Sequence, residues 1–247
     1  MRIKTRTLLP LVMALFSVAA FAQHHIANAE VTAMIQDKLY HAQVFKHGEV
    51  QVAFNNGTAT LRGSVDCIGV KWDATRAVRK VDDVDQVVNN ITVNTDDVTD
   101  QQIVAQARKD ILTYYAYTIF DWVSLETQGH RLTMKGYVTQ PYMKQDIAYF
   151  LAHIKGVSDL TNDLQVLPVS GFDTDLRIDI ARAIYNDPYF VYYAIQAIPP
   201  IHIIVDNGNV TLDGVVATRM DREKAAADAQ TAATFFKFTD NLVVEHP

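Results

Sequence analysis

The sequence predicts an α+β fold of three tandem small modules, each running α-β-β-α-β, with two helices packed on one face of a three-stranded mixed sheet. Three observations lead there. A core pattern, apolar-Thr-apolar-x-Gly-x-Val, occurs as Ala59–Val65, Leu132–Val138 and Val210–Val216, with its glycines 73 and 78 residues apart. A closing pattern follows each, an Asn/Asp pair entering an apolar alternation, and Ile91, Leu164 and Leu242 each lie 28 residues after the glycine of their unit. An alternating run also precedes each core pattern across an Asn-Gly type signal. Recurrence at a fixed period marks a repeated structural unit.

The elements follow in chain order. Arg2, Lys4 and Arg6 precede an uncharged apolar stretch from Leu8 to Phe16 and an Ala20-Phe21-Ala22 end. That reads as a secretory signal peptide over residues 1–22, too short to span a bilayer comfortably, with an uncleaved membrane anchor as the alternative; no transmembrane segment is expected once it is removed. The modules are then expected at 26–95, 99–168 and 172–247, joined by the short linkers 94–98 and 167–171, which should restrict how neighbouring units move. Each opens with an amphipathic helix, carried by Val31, Ile35 and Leu39, by Val104, Ala107 and Ile111, and by Leu176, Ile180 and Ile184. Thr99 with Gln102 offers a capping box for the second of these.

A hairpin comes next, since apolar residues alternate with period two on both sides of Asn55-Asn56-Gly57, Gln128-Gly129-His130 and Asp206-Asn207-Gly208. In the second copy the glycine comes one position early and His130 stands where the others have glycine. A second helix then shows one apolar face in copies one and two: Val70, Ala74, Ala77, Val78 and Val81 match Met143, Ile147, Phe150, Leu151 and Ile154. In copy three the equivalent positions are Asp221, Ala225, Asp228, Ala229 and Ala232, so that helix must pack through small side chains, rotate or sit more loosely. The closing strand should lie parallel to the second hairpin strand. Gly63, Gly136 and Gly214 share the inward parity of their apolar neighbours and read as structural, the missing Cβ letting a helix or backbone approach closely.

Composition narrows the function classes. With the leader removed, 19 basic residues face 28 acidic ones, a net charge of −9. Nothing in that balance favours nucleic acid, and contact with a lipid surface would have to be local and largely apolar. The single Cys67 excludes an internal disulfide.

The recurring glycine motif, the closing Asn-apolar strand, the leader and units of about seventy residues resemble the BON (bacterial OsmY and nodulation) family over nearly the whole mature chain. The resemblance implies a periplasmic or secreted, envelope-associated protein that binds phospholipid or assists other envelope proteins under osmotic or envelope stress. It also departs from well-known soluble members by having three units instead of two. The third unit carries an extra segment from Asp187 to Pro200.

The expected activity is binding without catalysis, and no cofactor or metal is implied. There is no G-x-S-x-G, phosphate-cradling glycine loop, H-E-x-x-H or paired C-x-x-C. Cleavage after Ala22 would leave Gln23-His24-His25, whose third-position histidine can complete a square of nitrogens for Cu(II) or Ni(II); a disordered tail is the plainer reading. Aromatic residues crowd two places: Tyr114, Tyr115, Tyr117 and Phe120 with Trp122 in the second unit, and Tyr189, Phe190, Tyr192 and Tyr193 in the third. Such rings either complete small cores and unit–unit contacts or stay exposed to meet a lipid headgroup layer or a partner's apolar groove. The alternative function is a structural module docking on an envelope protein complex.

Overall fold

The computed structural model describes residues 28–245; the leader and the Gln23-His24-His25 site lie outside them. The chain divides after Asn94 into two compact units, the first holding one module and the second holding two. Module 1 comprises a helix over residues 28–41 (α1), β1 (Gly48–Asn55), β2 (Thr58–Val65), α2 (Ile68–Val78) and β3 (Gln86–Val93). Module 2 repeats the order with α3 (Asp100–Thr113), β4 (Trp122–Gln128), β5 (Arg131–Val138), α4 (Pro141–Ala152) and β6 (Asp159–Val166). Module 3 has α5 (Gly171–Tyr185), a 3-10 turn at Pro188–Phe190, a short α6 (Val191–Ala194), β7 (Ile201–Asp206), β8 (Asn209–Val216), α7 (Arg219–Ala232) and β9 (Lys237–Val244).

Each sheet has three strands, with the middle one antiparallel to its hairpin partner and parallel to the closing strand. The register repeats as well. Gly63 pairs with Val50 and Ile91, Gly136 with Val123 and Leu164, and Gly214 with Ile201 and Leu242. The constant interval of 28 residues is therefore the strand–helix–strand return that brings the closing strand level with the glycine.

The motif glycines are required for a reason other than helix approach. They have φ of +133°, +122° and +135°, and a Cβ would stand about 2 Å from the carbonyl oxygen of Glu49, Trp122 or Pro200 on the hairpin partner side. Only glycine tolerates that backbone at no cost, and the atom it makes room for is the neighbouring strand's carbonyl. The hairpin turns also share one geometry, with both central residues left-handed: Asn56-Gly57, Gly129-His130 and Asn207-Gly208. In module 2 glycine and its partner are exchanged, and His130 is held in place by its Nε2 at 2.7 Å from the Val98 carbonyl. Asp100 accepts from the amides of Gly129 and His130 at 2.9 and 2.8 Å. Asp173 does the same for Asn207 and Gly208 at 3.0 and 2.8 Å, so a carboxylate from the first helical turn grips the hairpin in both modules.

The cores lie between helices and sheet. In module 1, Ile35 and Leu39 of α1, Ala74 and Val78 of α2, and Leu61 and Ile91 of the strands form one cluster. In α3 the buried face is Ile103, Ala107 and Ile111. This corrects the phase expected from sequence, where Val104 stood first: Val104 is only half-buried, and the i, i+4, i+8 spacing of the other two first helices is kept. The capping box of Thr99 and Gln102 is formed, with Thr99 Oγ1 accepting from the Gln102 amide and Gln102 Oε1 accepting from the Thr99 amide.

The closing motif has a purpose that its apolar alternation conceals. Asn89 accepts from the Ile91 amide and donates to the Lys71 carbonyl of α2 at 2.9 Å. Asn162 accepts from the Leu164 amide and donates to the Lys144 carbonyl of α4. In module 3 the residue is Asp240, which cannot donate, and the helix supplies a cation in the matching place: Arg222 Nε donates to it at 2.8 Å.

Module 3 is built differently around α7, whose buried residues are only Ala225 and Ala229. The extra segment fills the gap. Phe190 is 1 % exposed and belongs to the core cluster of Leu176, Ile180, Ile203 and Leu212. Asp221, at a position that is apolar in the other copies, closes a capping box with Thr218 and accepts from the hydroxyls of Tyr189 and Tyr193. Lys224 joins Asp187 of the segment to Asp228 of α7.

Candidate functional site

The two aromatic clusters are split by the fold. Tyr117 is 4 % exposed and Phe190 1 %, so neither presents a surface, which corrects their expected role as lipid or partner contacts. Phe120 and its neighbour Ile119 pack against the module 3 core. Tyr114 donates to Asp146 of α4 at 2.7 Å and tilts against Phe150, which leaves Tyr115 as the outward ring of that cluster at 83 % exposure.

In module 3 the segment after α5 makes a ridge. Val191, Tyr192 and Ile195 fall at i, i+1 and i+4 on and beside α6, and Tyr192 and Ile195 are 79 % and 75 % exposed. The platform beneath is fixed: Phe190 is buried, stacked on Tyr193, and the Tyr193 hydroxyl both accepts from the Ala217 amide and donates to Asp221. Four residues of helix would not hold their shape alone; here the core holds it. Aromatic crowding, the sequence signal here, does not point to Val191 and Ile195. A second apolar pair, Phe172 and Phe236, lies exposed at the hairpin end of module 3, with Phe236 above Gly208.

Modules 2 and 3 meet along the outer edge of β7. The Ile203 amide donates to the Ile119 carbonyl at 2.7 Å. On the same edge, Tyr185 Oη accepts from the Ile201 amide and donates to its carbonyl, and Arg177 donates to the Val205 carbonyl at 2.6 Å. An edge strand with unpaired groups invites foreign pairing, and here three residues occupy it, two from α5 and one from module 2. His202, between Ile201 and Ile203 but on the opposite face, is covered by Tyr117 and Trp122, whose rings stand 5.5 and 5.0 Å from the imidazole. Burial pushes its pKa down to about 4. Asp121 is buried as well, but both of its oxygens are satisfied by amide and hydroxyl of Thr118 and of Thr139.

Two of the surface grooves lie in modules 2 and 3. One, of about 730 Å³, runs along α3 past Val104, Arg108 and Leu112; the other, of about 970 Å³, lies between α7 and β9, past Ala226, Ala227 and Val243. Among the described residues no three His, Cys, Asp or Glu side chains are grouped to hold a metal, and no helix is long and apolar enough to cross a membrane. The motif glycines Gly63, Gly136 and Gly214 face partner-strand carbonyls and line neither groove.

Comparison with known proteins gives one family. The model described as BON domain matches residues 27–95 and 173–245, modules 1 and 3, with module 2 between the matches. No curated protein matches the chain. Among solved structures the chain is similar to the C-terminal domain of CdsD, the structural protein of the Type III secretion system of Chlamydia trachomatis, at 15% identity and a TM-score of 0.27, covering 84% of this chain and 96% of that one. It is also similar to the periplasmic domain of the T3SS inner membrane protein PrgH from S. typhimurium, at 10% identity and a TM-score of 0.19, covering 79% and 95%. Likenesses of that size carry no argument about function.

Proposed function

The chain belongs to the BON domain family, whose model accounts for more than half of its length, and from that premise we propose that it is an exported, non-enzymatic envelope protein that binds phospholipid surfaces through module 3. The observation that carries this reading is the ridge of Val191, Tyr192 and Ile195, displayed on a platform fixed by Phe190 and Tyr193. An apolar group held out to solvent by a rigid support is suited to partition into an interface. Burying these three side chains from their present exposure is worth about 3–5 kcal/mol, which corresponds to a dissociation constant near the millimolar range. Binding is therefore peripheral and reversible. The formal charge of −9 without the leader works against anionic surfaces, so the contact favours zwitterionic lipid.

Periplasmic or secreted placement, three family copies and a role in envelope or osmotic stress belong to the same proposal; the leader-like N-terminus and the repeated module support them. A second reading, docking on an envelope protein or an exported client, is favoured by the exposed Val243 beside the α7–β9 groove. Vesicle flotation separates the two. The mature protein should co-float with phosphatidylcholine vesicles, less with vesicles rich in phosphatidylglycerol, and Tyr192→Ser with Ile195→Ser should abolish flotation. If wild-type protein stays at the bottom of the gradient with both vesicle types, the lipid reading fails and protein partners become the subject.

A further inference from the structure

We propose that the contact between modules 2 and 3 is a pH-sensitive latch, closed while the buried imidazole of His202 is neutral and released when it takes up a proton. The geometry is that of a buried ring whose backbone partners, at Asp121 and Thr118 of module 2, favour a proton less than burial opposes it. His202 is 3 % exposed, and its Nδ1 is buried with no hydrogen-bond partner. Tyr117 and Trp122 cover the ring from module 2. A proton there would leave an imidazolium out of water against two aromatic rings, a state that burial opposes strongly.

The surrounding groups decide whether a counter-charge is at hand. From module 2 come Tyr117, whose phenol is pushed up by burial, and Asp121, whose four accepted hydrogen bonds already use both oxygens. From β8 comes Asp213, the cross-strand partner of His202, held by Asn241 at 3.2 Å. From α5 comes Arg177, a cation facing Asp173, Asp121 and Asp206, with its own Nε buried and unpartnered. Asp121 attracts a proton to His202, yet burial outweighs it and the net shift is downward.

The sign follows from linkage. A base whose pKa falls from 6.5 to about 4 on closure binds more protons in the open form between those values, so acidification favours opening. Burial raises the Asp213 carboxyl, which relieves a cost in acid and acts in the opposite sense. The His202 shift alone moves the latch about 30-fold toward open between pH 7.5 and pH 5. Opening would free Ile119 and Phe120 from module 3 and expose the Ile203 amide on the β7 edge.

The test uses amide hydrogen exchange on the full mature chain, corrected for intrinsic rates, together with the NMR titration of the His202 ring. Between pH 7.5 and 5 the Ile203 amide and the 117–121 segment should lose protection by about 30-fold, while amides of the central strands at Met134 and Leu212 keep theirs. His202→Gln should remove the pH dependence at Ile203. Uniform protection of Ile203 down to pH 5, or the same loss in His202→Gln, overturns the latch. If the variant does not fold, the wild-type ring titration decides: a midpoint well below 6.5 supports the proposal, and one at or above it refutes it.

Discussion

Replacing Gly214 with alanine is the most direct challenge to the repeated-register account of the fold. The new Cβ would lie 1.9 Å from the Pro200 carbonyl oxygen, more than 1 Å inside any ordinary approach, and the residue would have to hold φ at +135°. A non-glycine residue in such a conformation costs about 1–3 kcal/mol. The obstructing atom is backbone, so the start of β7 must move away from β8, loosening the fully buried Ile201 that pairs with Gly214, for a further 1–3 kcal/mol or so. A module of about seventy residues has roughly 4–10 kcal/mol of stability in all. Gly214→Ala should thus lose about 2–6 kcal/mol and bring module 3 close to unfolding. Urea titration followed by far-UV circular dichroism, with limited proteolysis to show which region opens, measures it. Gly171→Ala is the control, since that glycine opens α5 with nothing within 4 Å, and it should fall within about 0.5 kcal/mol of wild type. A loss below about 1 kcal/mol for Gly214→Ala would refute the reasoning, because β7 would then be free to shift and the shared register would impose nothing.

Other consequences can be checked with the same preparations. Phe190→Ala should destabilise module 3 by about 3–4 kcal/mol in urea titration, whereas Tyr192→Ala, on the ridge, should change stability by less than about 0.5 kcal/mol. Asp240→Asn should cost about 1 kcal/mol by stranding Arg222, and adding Arg222→Lys, which recreates the Asn and Lys of modules 1 and 2, should recover most of it in a double-mutant cycle. Cys67 is fully buried and its thiol is pushed up to about 12, chiefly by burial, so native protein at pH 8 should resist an aromatic disulfide reagent until urea opens module 1. Rapid labelling without denaturant would contradict that placement.

What sequence could and could not disclose follows from the range of the interactions. Period-two runs around Asn56-Gly57, and the interval of 28 residues, report local backbone and one fixed return, and both reappear as hairpin and register. Sequence alone places Val104 on the buried face of α3 because Ile103 and Val104 are adjacent and similarly apolar; only the third dimension shows that Ile103 meets the core. Parity picks out the glycines, but the carbonyl each admits belongs to the residue fourteen positions earlier, and hydrophobicity patterns carry no trace of it. Asp221 looked like a flaw in an apolar face, whereas it caps α7 and anchors two tyrosines from the extra segment. The closure of the β7 edge by Tyr185, Arg177 and Ile119 joins three separate stretches of chain, and no one stretch advertises it. Aromatic crowding did indicate the ridge region, but could not say which rings face inward.

That last distinction determines how the third module should be read. The extra segment solves a packing problem first: α7 offers alanines where α2 and α4 offer valine, methionine and isoleucine, and Phe190 supplies the missing volume. Once a short helix is pinned by Phe190, Tyr189 and Tyr193, its opposite side has no interior left to enter, and Val191, Tyr192 and Ile195 face solvent as a consequence. Loss of vesicle binding in Phe190→Ala would be uninformative, because the platform goes with the ring. The informative pair is Tyr192→Ser and Ile195→Ser, which leave the platform intact: if they bind as wild type does, the ridge is a by-product of filling a small-residue core, and the ligand surface lies elsewhere.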